Sequence, residues 1–205
     1  DVLLRGCSSI TNRGTLGNDL GTVIFSYYDD AVENAEDADA FITLAENAGI
    51  SGLRICYPDN NLWMSQPGEY EITPSAFTIR LSGDRAYVTN VGLTNSFNGI
   101  HVKNADNCVV KNIPALFFDE GIRIDESENC FVENVFSTVA TQTGFSAQFP
   151  DLFKEGWLWR VNNLWNYYTY TETHTQLFVV NNSSASIMSA FTFCSAGILN
   201  ASGST

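Results

Sequence analysis

Residues 99–113 read Gly-Ile-His-Val-Lys-Asn-Ala-Asp-Asn-Cys-Val-Val-Lys-Asn-Ile, and residues 121–135 read Gly-Ile-Arg-Ile-Asp-Glu-Ser-Glu-Asn-Cys-Phe-Val-Glu-Asn-Val. The second segment repeats the first 22 residues later, with the same glycine, isoleucine, asparagines and cysteine at equivalent positions. Half of an earlier copy, Tyr-Val-Thr-Asn-Val at residues 87–91, lies one further period upstream. A fixed period of about 20 to 30 residues, built from short alternating apolar runs and turn residues, is typical of a solenoid.

Apolar and polar side chains alternate within both segments, as in strands that bury one face. Ile100 and Val102 are expected to point inward and His101 outward, with Cys108 and Val110 inward in the following strand. If each strand stacks on its counterpart one period away, the result is a set of parallel sheets without helices. We therefore predict an all-β fold, a right-handed parallel β-helix with rungs of about 22 residues. The rival is a β-sandwich, whose sequence would not repeat residue identities at a constant spacing.

Residues 1–205 are predicted to form a single domain of this coil. Strand-like sequence at both ends indicates a fragment or a trimmed chain. Two loop excursions are predicted to leave the repeat, at residues 58–76 and 138–174, and the second is compatible with a short helix near residues 150–156 that begins at a proline. Residues 29–39 are acidic and are interpreted as a solvated loop, because the ligand spacing of a known calcium motif is missing.

Charge and hydropathy restrict the partners. The formal net charge is −13, from 23 acidic and 10 basic residues. Phosphate binding requires clustered lysine and arginine, so no nucleic-acid partner is expected. No apolar run approaches membrane-spanning length, so no membrane partner is expected either. The acidic balance is compatible with a secreted, extracellular protein. The sequence predicts no oligomeric state.

Two kinds of side chain are expected to stack between rungs. Cys108 and Cys130 occupy equivalent positions, so their backbones should lie about 4.8 Å apart. A disulfide is geometrically possible there, but a ladder of buried free thiols is favoured, because cysteine packs as a small apolar side chain. Asn90, Asn112 and Asn134 are expected to stack at one turn and to bond to each other and to turn backbone.

Three segments carry a resemblance to a known family: residues 50–58 (Ile-Ser-Gly-Leu-Arg-Ile-Cys-Tyr-Pro), residues 95–100 (Asn-Ser-Phe-Asn-Gly-Ile) and residues 119–124 (Asp-Glu-Gly-Ile-Arg-Ile). They resemble the pectin-lyase-like superfamily of right-handed β-helices, and more narrowly its glycosyl-hydrolase-family-28-related and pectate-lyase-superfamily proteins. The resemblance extends from about residue 41 onward. It implies a carbohydrate-related function, although the superfamily includes hydrolases, lyases, epimerases, transferases and viral tailspikes.

The polygalacturonase branch of that superfamily implies a particular pair of rungs. Its members carry Asn-Thr-Asp-Gly at the start of one rung and Asp-Asp one rung later. This chain is similar but departs from the pattern, because Asn98 stands where the first aspartate is expected and the later pair is Asp119-Glu120. The Gly-His-Gly motif of the branch is also missing, and only His174 lies in the corresponding region.

Carboxylates crowd the second rung independently of any resemblance, and glycoside hydrolysis requires two of them on either side of the scissile bond. The catalytic candidates are Asp119, Glu120, Asp125 and His174. The substrate-binding candidates are Asn98, His101, Arg123, Trp157, Trp159 and Trp165, the last three because sugar rings stack on exposed aromatic faces. The alternative interpretation is a solvated acidic turn, with the tryptophans forming the core of the excursion or packing it onto the coil.

These observations favour a secreted carbohydrate-active enzyme, a glycoside hydrolase that acts on a plant or microbial polysaccharide or oligosaccharide. Polysaccharide lyase chemistry is less favoured because it usually needs a basic residue as proton abstractor, and basic residues are scarce. No cofactor is expected; calcium is the one candidate. The alternative function is a non-catalytic β-helix that binds carbohydrate, an adhesin or a tailspike-like structural module.

Overall fold

The computed structural model describes residues 2–7, 22–27, 35–57, 74–117, 119–138, 176–193 and 197–205. Within these ranges the chain is all-β, and none of the described residues is helical. The strands in this part of the chain are β1 (Leu3–Arg5), β2 (Val23–Phe25), β3 (Ile42–Leu44), β4 (Gly49–Cys56), β5 (Phe77–Leu81), β6 (Tyr87–Ser96), β7 (Asn98–Lys103), β8 (Val109–Phe117), β9 (Glu120–Asp125), β10 (Cys130–Thr138), β11 (Gln176–Asn181), β12 (Ala185–Phe193) and β13 (Gly197–Ser202).

The strands form two parallel sheets. The first, called sheet A, has the order β1-β4-β6-β8-β10-β12, and β2 also pairs with β4. The second, called sheet B, has the order β3-β5-β7-β9-β11-β13. From β3 to β13 successive strands alternate between the two sheets, so each strand pairs with the strand two places away in the chain. Parallel strands and all-β content are therefore confirmed.

The predicted register of the repeat is confirmed. His101 in β7 lies opposite Arg123 in β9, and Val110 in β8 lies opposite Val132 in β10. Both pairs differ by 22 residues, the period read from the sequence. The inward-facing residues of both sheets belong to one buried apolar cluster, in which Ile100, Val110 and Val132 are at most 1% exposed. Alternation in the sequence thus predicts which side chains enter the apolar core, although both faces of β7 are buried.

A column of residues with positive φ interrupts the extended backbone conformation of each long strand of sheet A at the same place. Asn90, Asn112 and Asn134 have φ of 55°, 57° and 54°, a conformation that asparagine tolerates better than most residues. The Asn112 side-chain amide donates to Asn90 Oδ1 at 2.9 Å, and that of Asn134 donates to Asn112 Oδ1 at 2.8 Å. The predicted stack of asparagines that bond to each other is therefore confirmed, but it lies within the strands and not at a turn. Gly52 and Ser189 continue the column in the adjacent strands, with φ of 68° and 54°.

The equivalent cysteines and glycines also have structural explanations. Cys108 and Cys130 are buried free thiols, as the sequence favours. A hydrogen bond to the Cys130 thiol, together with burial, raises the pKa of Cys108. A side chain at position 99 would lie 2.2 Å from the carbonyl oxygen of Gly121 and 2.3 Å from the Phe117 ring, so only glycine fits there.

Several expectations fall outside the described residues. The predicted excursions at 58–76 and 138–174 are described only at residues 74–76, which precede β5, and at Thr138, which ends β10. The helix expected near residues 150–156 is not among the described residues. In the ranges given above, the chain contains no helix long and apolar enough to cross a membrane.

Candidate active site

A cavity of about 360 Å³ lies where β5, β7 and β9 of sheet B begin. Because neighbouring parallel strands start at the same edge of a sheet, residues 22 apart in sequence meet there. Predicted and unpredicted residues both line it. The lining residues are Ala35, Glu36, Pro74, Ser75, Phe77, Phe97, Asn98, Asp119, Glu120 and Arg123.

Asp119 and Glu120 are held in the cavity wall through their backbone. The Asp119 amide donates to the carbonyl oxygen of Phe97 at 3.0 Å, and the Glu120 amide donates to Asn98 Oδ1 at 3.2 Å. Both bonds join the start of β9 to the start of β7, so the register of sheet B determines where the two carboxylates stand. The 22-residue register thus places Glu120 beside Asn98 at this edge of the sheet.

Asn98 is buried, with only 2% of its surface exposed. Its amide nitrogen donates to the carbonyl oxygen of Ser75 at 2.9 Å, while its oxygen accepts from Glu120. Both ends of the amide are therefore bonded to backbone on either side of β7. An aspartate here would keep the bond to Glu120 but would set a carboxylate against the Ser75 carbonyl. The geometry explains why an amide occupies this place in this chain.

Arg123 contacts three carboxylates with its three nitrogens. Its Nε donates to Asp125 Oδ2 at 2.7 Å, and its Nη1 donates to the two oxygens of Glu120 at 3.1 and 3.3 Å. Its Nη2 lies 2.7 Å from Glu36 Oε1. The side chain is 12% exposed, so water screens these contacts weakly. The three carboxylates thus fix the orientation of the Arg123 guanidinium.

Asp125 and His101 lie behind Arg123 and do not line the cavity. Asp125 Oδ2 is 2.8 Å from His101 Nε2, and Asp125 Oδ1 accepts from the Asn181 amide at 2.8 Å. Burial opposes ionisation of Asp125, but the hydrogen bonds from His101, Arg123 and Asn181 outweigh it and hold the pKa of this carboxyl well below its usual range. Asp125 is therefore an ionised anchor for the guanidinium.

His101 is fully buried, which the sequence interpretation as an outward groove or surface residue missed. Its ring centroid lies 4.7 Å from that of Phe77, and burial lowers the pKa of the imidazole despite the bond to Asp125. Its Nδ1 has no hydrogen-bond partner among the described residues. A neutral imidazole with Nε2 protonated satisfies the contact to the Asp125 carboxylate.

The two cavity carboxyls share one electrostatic feature. Burial raises the pKa of Asp119, and the nearby positive charge of Arg123 partly offsets the effect. Burial also raises the pKa of Glu120, against the charge and the hydrogen bonds of Arg123. Only Glu120 is in direct contact with the arginine; among the described residues, the Asp119 carboxylate has no ion pair or hydrogen bond of its own. Within the pair, the Glu120 carboxyl is therefore hydrogen-bonded to Arg123, whereas the Asp119 carboxyl is not.

Residues 35–37, here called the acidic segment, cross the outer face of sheet B. Arg80 Nη2 donates to the carbonyl oxygens of Ala35 and Glu36 at 3.3 and 3.0 Å. Lys103 Nζ donates to the Glu36 carbonyl oxygen at 3.0 Å and lies 3.2 Å from Asp37 Oδ1. This part of the region interpreted as a solvated loop is instead fixed to the sheet by cations. Sequence reasoning missed Glu36 because no local pattern links it to Arg80 and Lys103, which lie 44 and 67 residues later in the chain.

Four predicted site residues lie outside the described residues: His174, Trp157, Trp159 and Trp165. Their roles stay predictions. Among the described residues, no group of three or more histidine, cysteine, aspartate or glutamate side chains is arranged to hold a metal ion. Calcium binding elsewhere in the chain stays an untested prediction.

Comparison of the chain with protein-family models, with curated proteins and with solved structures found no match. The site is therefore characterised by the geometry of its own residues. That geometry brings Asn98, Asp119, Glu120 and Arg123 together in one cavity, with Glu36 as the unpredicted fifth polar member.

Proposed function

We propose that this chain is a secreted glycoside hydrolase that acts on a polysaccharide or oligosaccharide. The observation that carries the proposal is the cavity, in which Asp119 and Glu120 stand together and burial raises the pKa of both. Glycoside hydrolysis needs one carboxyl that stays protonated as the general acid and one that is ionised as the base or nucleophile. A carboxyl with a raised pKa is suited to the first role near neutral pH.

Contacts with Arg123 support a division of the two roles. Glu120 accepts two hydrogen bonds from the guanidinium, which favour its ionised form, so we assign Glu120 as the base or nucleophile. Asp119 has no such bond, so we assign it as the general acid. Asn98, whose amide is bonded at both ends, and Arg123, whose nitrogens all contact carboxylates, are assigned to positioning Glu120 in the cavity wall. A hydrolase that works in this way loses activity as the pH rises through the raised pKa of Asp119, because its acid is then ionised.

The fold we propose for this enzyme is a right-handed parallel β-helix. Alternation of β3 to β13 between two parallel sheets and the constant 22-residue register support a coil. The right hand is expected because connections between parallel strands of one sheet are almost always right-handed. In such a coil, a row of strand beginnings forms an edge along which an extended polysaccharide can lie.

The test is a screen of polysaccharides for new reducing ends and for the ultraviolet absorbance of unsaturated sugars. Hydrolysis gives only the first signal, whereas a lyase gives both. We expect Asp119→Asn and Glu120→Gln each to lower kcat/KM by about 100-fold or more, the usual effect of removing a general acid or base. The pH profile of kcat/KM should fall on its alkaline side in the wild type.

Glu128→Gln is the matched control. Glu128 is exposed, lies in the turn between β9 and β10 and does not line the cavity, so its charge can be removed without touching the proposed site. Its variant should keep wild-type activity. Activity that survives in both Asp119→Asn and Glu120→Gln would contradict the proposal.

A second candidate function is a non-catalytic carbohydrate-binding module, such as an adhesin or tailspike-like protein. Asn98 favours it, because an amide bonded to backbone at both ends stands at a place in the cavity where a hydrolase of this kind would need a carboxylate. Binding of a polysaccharide without any new reducing end, unchanged in the Asp119 and Glu120 variants, would support this second function over the first.

A further inference from the structure

Arg123 is the one cation among the described residues that line the cavity. The carboxylate of an acidic sugar in the cavity would be attracted to this guanidinium, because arginine binds carboxylates through charged hydrogen bonds. All three nitrogens, however, already contact carboxylates of the chain itself. A uronate could therefore reach Arg123 only by displacing one of them.

Glu36 is the carboxylate that an incoming anion would meet first. Its side chain is 47% exposed, whereas those of Glu120 and Asp125 are 19% and 13% exposed. Asp125 is further held by His101 and Asn181, and Glu120 belongs to the proposed catalytic pair. Glu36 is thus the most exposed of the three carboxylates that contact Arg123.

Backbone contacts of the acidic segment keep Glu36 at this place. Arg80 binds the Ala35 and Glu36 carbonyls, and Lys103 binds the Glu36 carbonyl and the Asp37 carboxylate. These bonds do not involve the Glu36 side chain, so they present its carboxylate to Arg123 independently of what the cavity contains. An intramolecular group held in this way competes at a high effective concentration with any free ligand.

We propose that Glu36 is a specificity-determining residue that occupies the carboxylate-binding side of Arg123 and thereby selects uncharged sugars over uronates. The inference rests on the proposed function for the statement that the ligand is a sugar. Its physical basis is the charge of the cavity, where Glu36 and Glu120 both contact one guanidinium. A further carboxylate brought against these acids is disfavoured by like-charge repulsion.

The experiment measures binding of acetate and of its uncharged analogue acetamide by NMR, through the Nε–Hε signal of Arg123. Wild type is compared with Glu36→Gln, which keeps the shape of the side chain and removes its charge. We expect acetate to bind Glu36→Gln at least about tenfold more tightly than wild type, because one competing carboxylate is gone. Acetamide should bind both proteins equally.

Asp37→Asn is the matched control. Asp37 belongs to the same acidic segment and also pairs with a cation, but it does not line the cavity. Its variant should bind acetate like wild type. Equal acetate affinity in wild type and Glu36→Gln would overturn the proposal, and so would an equal gain in Asp37→Asn, which would point to overall charge instead of the contact with Arg123.

The affinities of two sugars that differ in charge test the same role of Glu36 with the proposed class of ligand. Trigalacturonate and its methyl ester differ in carboxylate charge on one backbone, so the ratio of their affinities should shift toward the acid in Glu36→Gln. An unchanged ratio would contradict the role of Glu36. The binding measurement does not depend on catalysis. If acetate binds as expected but no hydrolysis is found, only the hydrolase assignment is overturned. If hydrolysis is found but wild type and Glu36→Gln bind acetate equally, only the role of Glu36 is overturned.

Discussion

Arg123 shows how one side chain can organise several carboxylates. Its Nε, Nη1 and Nη2 contact Asp125, Glu120 and Glu36 in turn, and each of these acids comes from a different structural context. Asp125 is buried beneath the arginine, Glu120 lies in the cavity wall and Glu36 reaches it from a distant segment. The guanidinium fork suits this task better than a lysine, whose single ammonium could not orient three partners in a plane.

Asp125→Asn should destabilise the protein by about 3 kcal/mol, the usual effect of breaking a buried pair and leaving its partner uncompensated. The folded-state pKa of Asp125 lies well below its usual range, so the carboxylate contributes stability above the ordinary aspartate pKa of about 3.9. The contribution is lost as the pH falls through that value toward the folded-state pKa. Urea unfolding at pH 7, 4 and 2.5 would measure it.

The difference in unfolding free energy between wild type and Asp125→Asn should therefore be largest at pH 7 and smallest at pH 2.5. Glu46→Gln provides the comparison, since Glu46 pairs with Arg85 at the surface and both side chains are more than half exposed. Its loss should change stability by at most about 1 kcal/mol. A difference for Asp125→Asn that does not vary with pH would contradict the ionised anchor.

At the scale of the strand, the positive-φ column of sheet A explains why asparagine recurs. The conformation disfavours most residues, and the asparagine side chain in addition bonds to its neighbour in the adjacent strand. Gly52 accepts the conformation but has no side chain for such a bond, and Ser189 has one that is too short to replace the amide. The asparagine stack is thus limited to three members in a column of five described positions.

Substitutions in this column should separate strain from hydrogen bonding. Asn112→Ala loses the bonds to Asn90 and Asn134 and places alanine at positive φ, so we expect a loss of about 3 kcal/mol. Asn112→Gly loses the same bonds without the strain and should be about 1 kcal/mol less destabilising than alanine. Ser189→Asn should stabilise by about 1 kcal/mol through a new bond to Asn134.

Chemical denaturation of the three variants measures these differences in unfolding free energy. Equal stability of Asn112→Ala and Asn112→Gly would show that the backbone conformation carries no strain. A destabilised Ser189→Asn would show that the column does not extend into β12 in the register described.

The strands were predictable because their signals are local and repeated. Alternation identified the side chains of β7 to β10 that enter the apolar core, but it missed the burial of His101 on the other face of β7. The 22-residue identities predicted the register that joins the strands. The cavity was predictable only in part. Asp119-Glu120 follows Phe97-Asn98 by 22 residues, so the position of Glu120 beside Asn98 follows from the register. The approach of Glu36 instead depends on tertiary contacts with Arg80 and Lys103 that no spacing encodes.

At the scale of the whole molecule, the net charge of −13 lowers the stability of the folded state through electrostatic repulsion. Like charges repel across the surface, and salt screens them over a distance of about 10 Å at 0.1 M. Surface ion pairs such as Lys111 with Glu133 contribute little in the opposite direction. The balance between repulsion and local pairing therefore favours a more stable protein at moderate salt than at low salt.

The urea midpoint at pH 7 should accordingly rise as NaCl increases from low concentration to about 0.3 M, where screening is nearly complete. The slope of the unfolding free energy with urea should stay constant, because the surface exposed on unfolding is unchanged. Near the isoelectric point the effect of salt should vanish. A midpoint that falls with salt at pH 7 would show that the ion pairs outweigh the net repulsion.

The buried amide of Asn98 has a chemical consequence. An asparagine followed by glycine is the sequence that most readily loses ammonia, because the next backbone nitrogen can attack the side-chain carbonyl and form a succinimide. In the folded chain, Ser75 and Glu120 hold the Asn98 amide at both ends, and Phe117 and the Gly121 carbonyl crowd Gly99. The fold thus protects the Asn98 side chain from deamidation. A molecule that stayed unfolded for long would refold with a carboxylate in place of this amide beside the cavity.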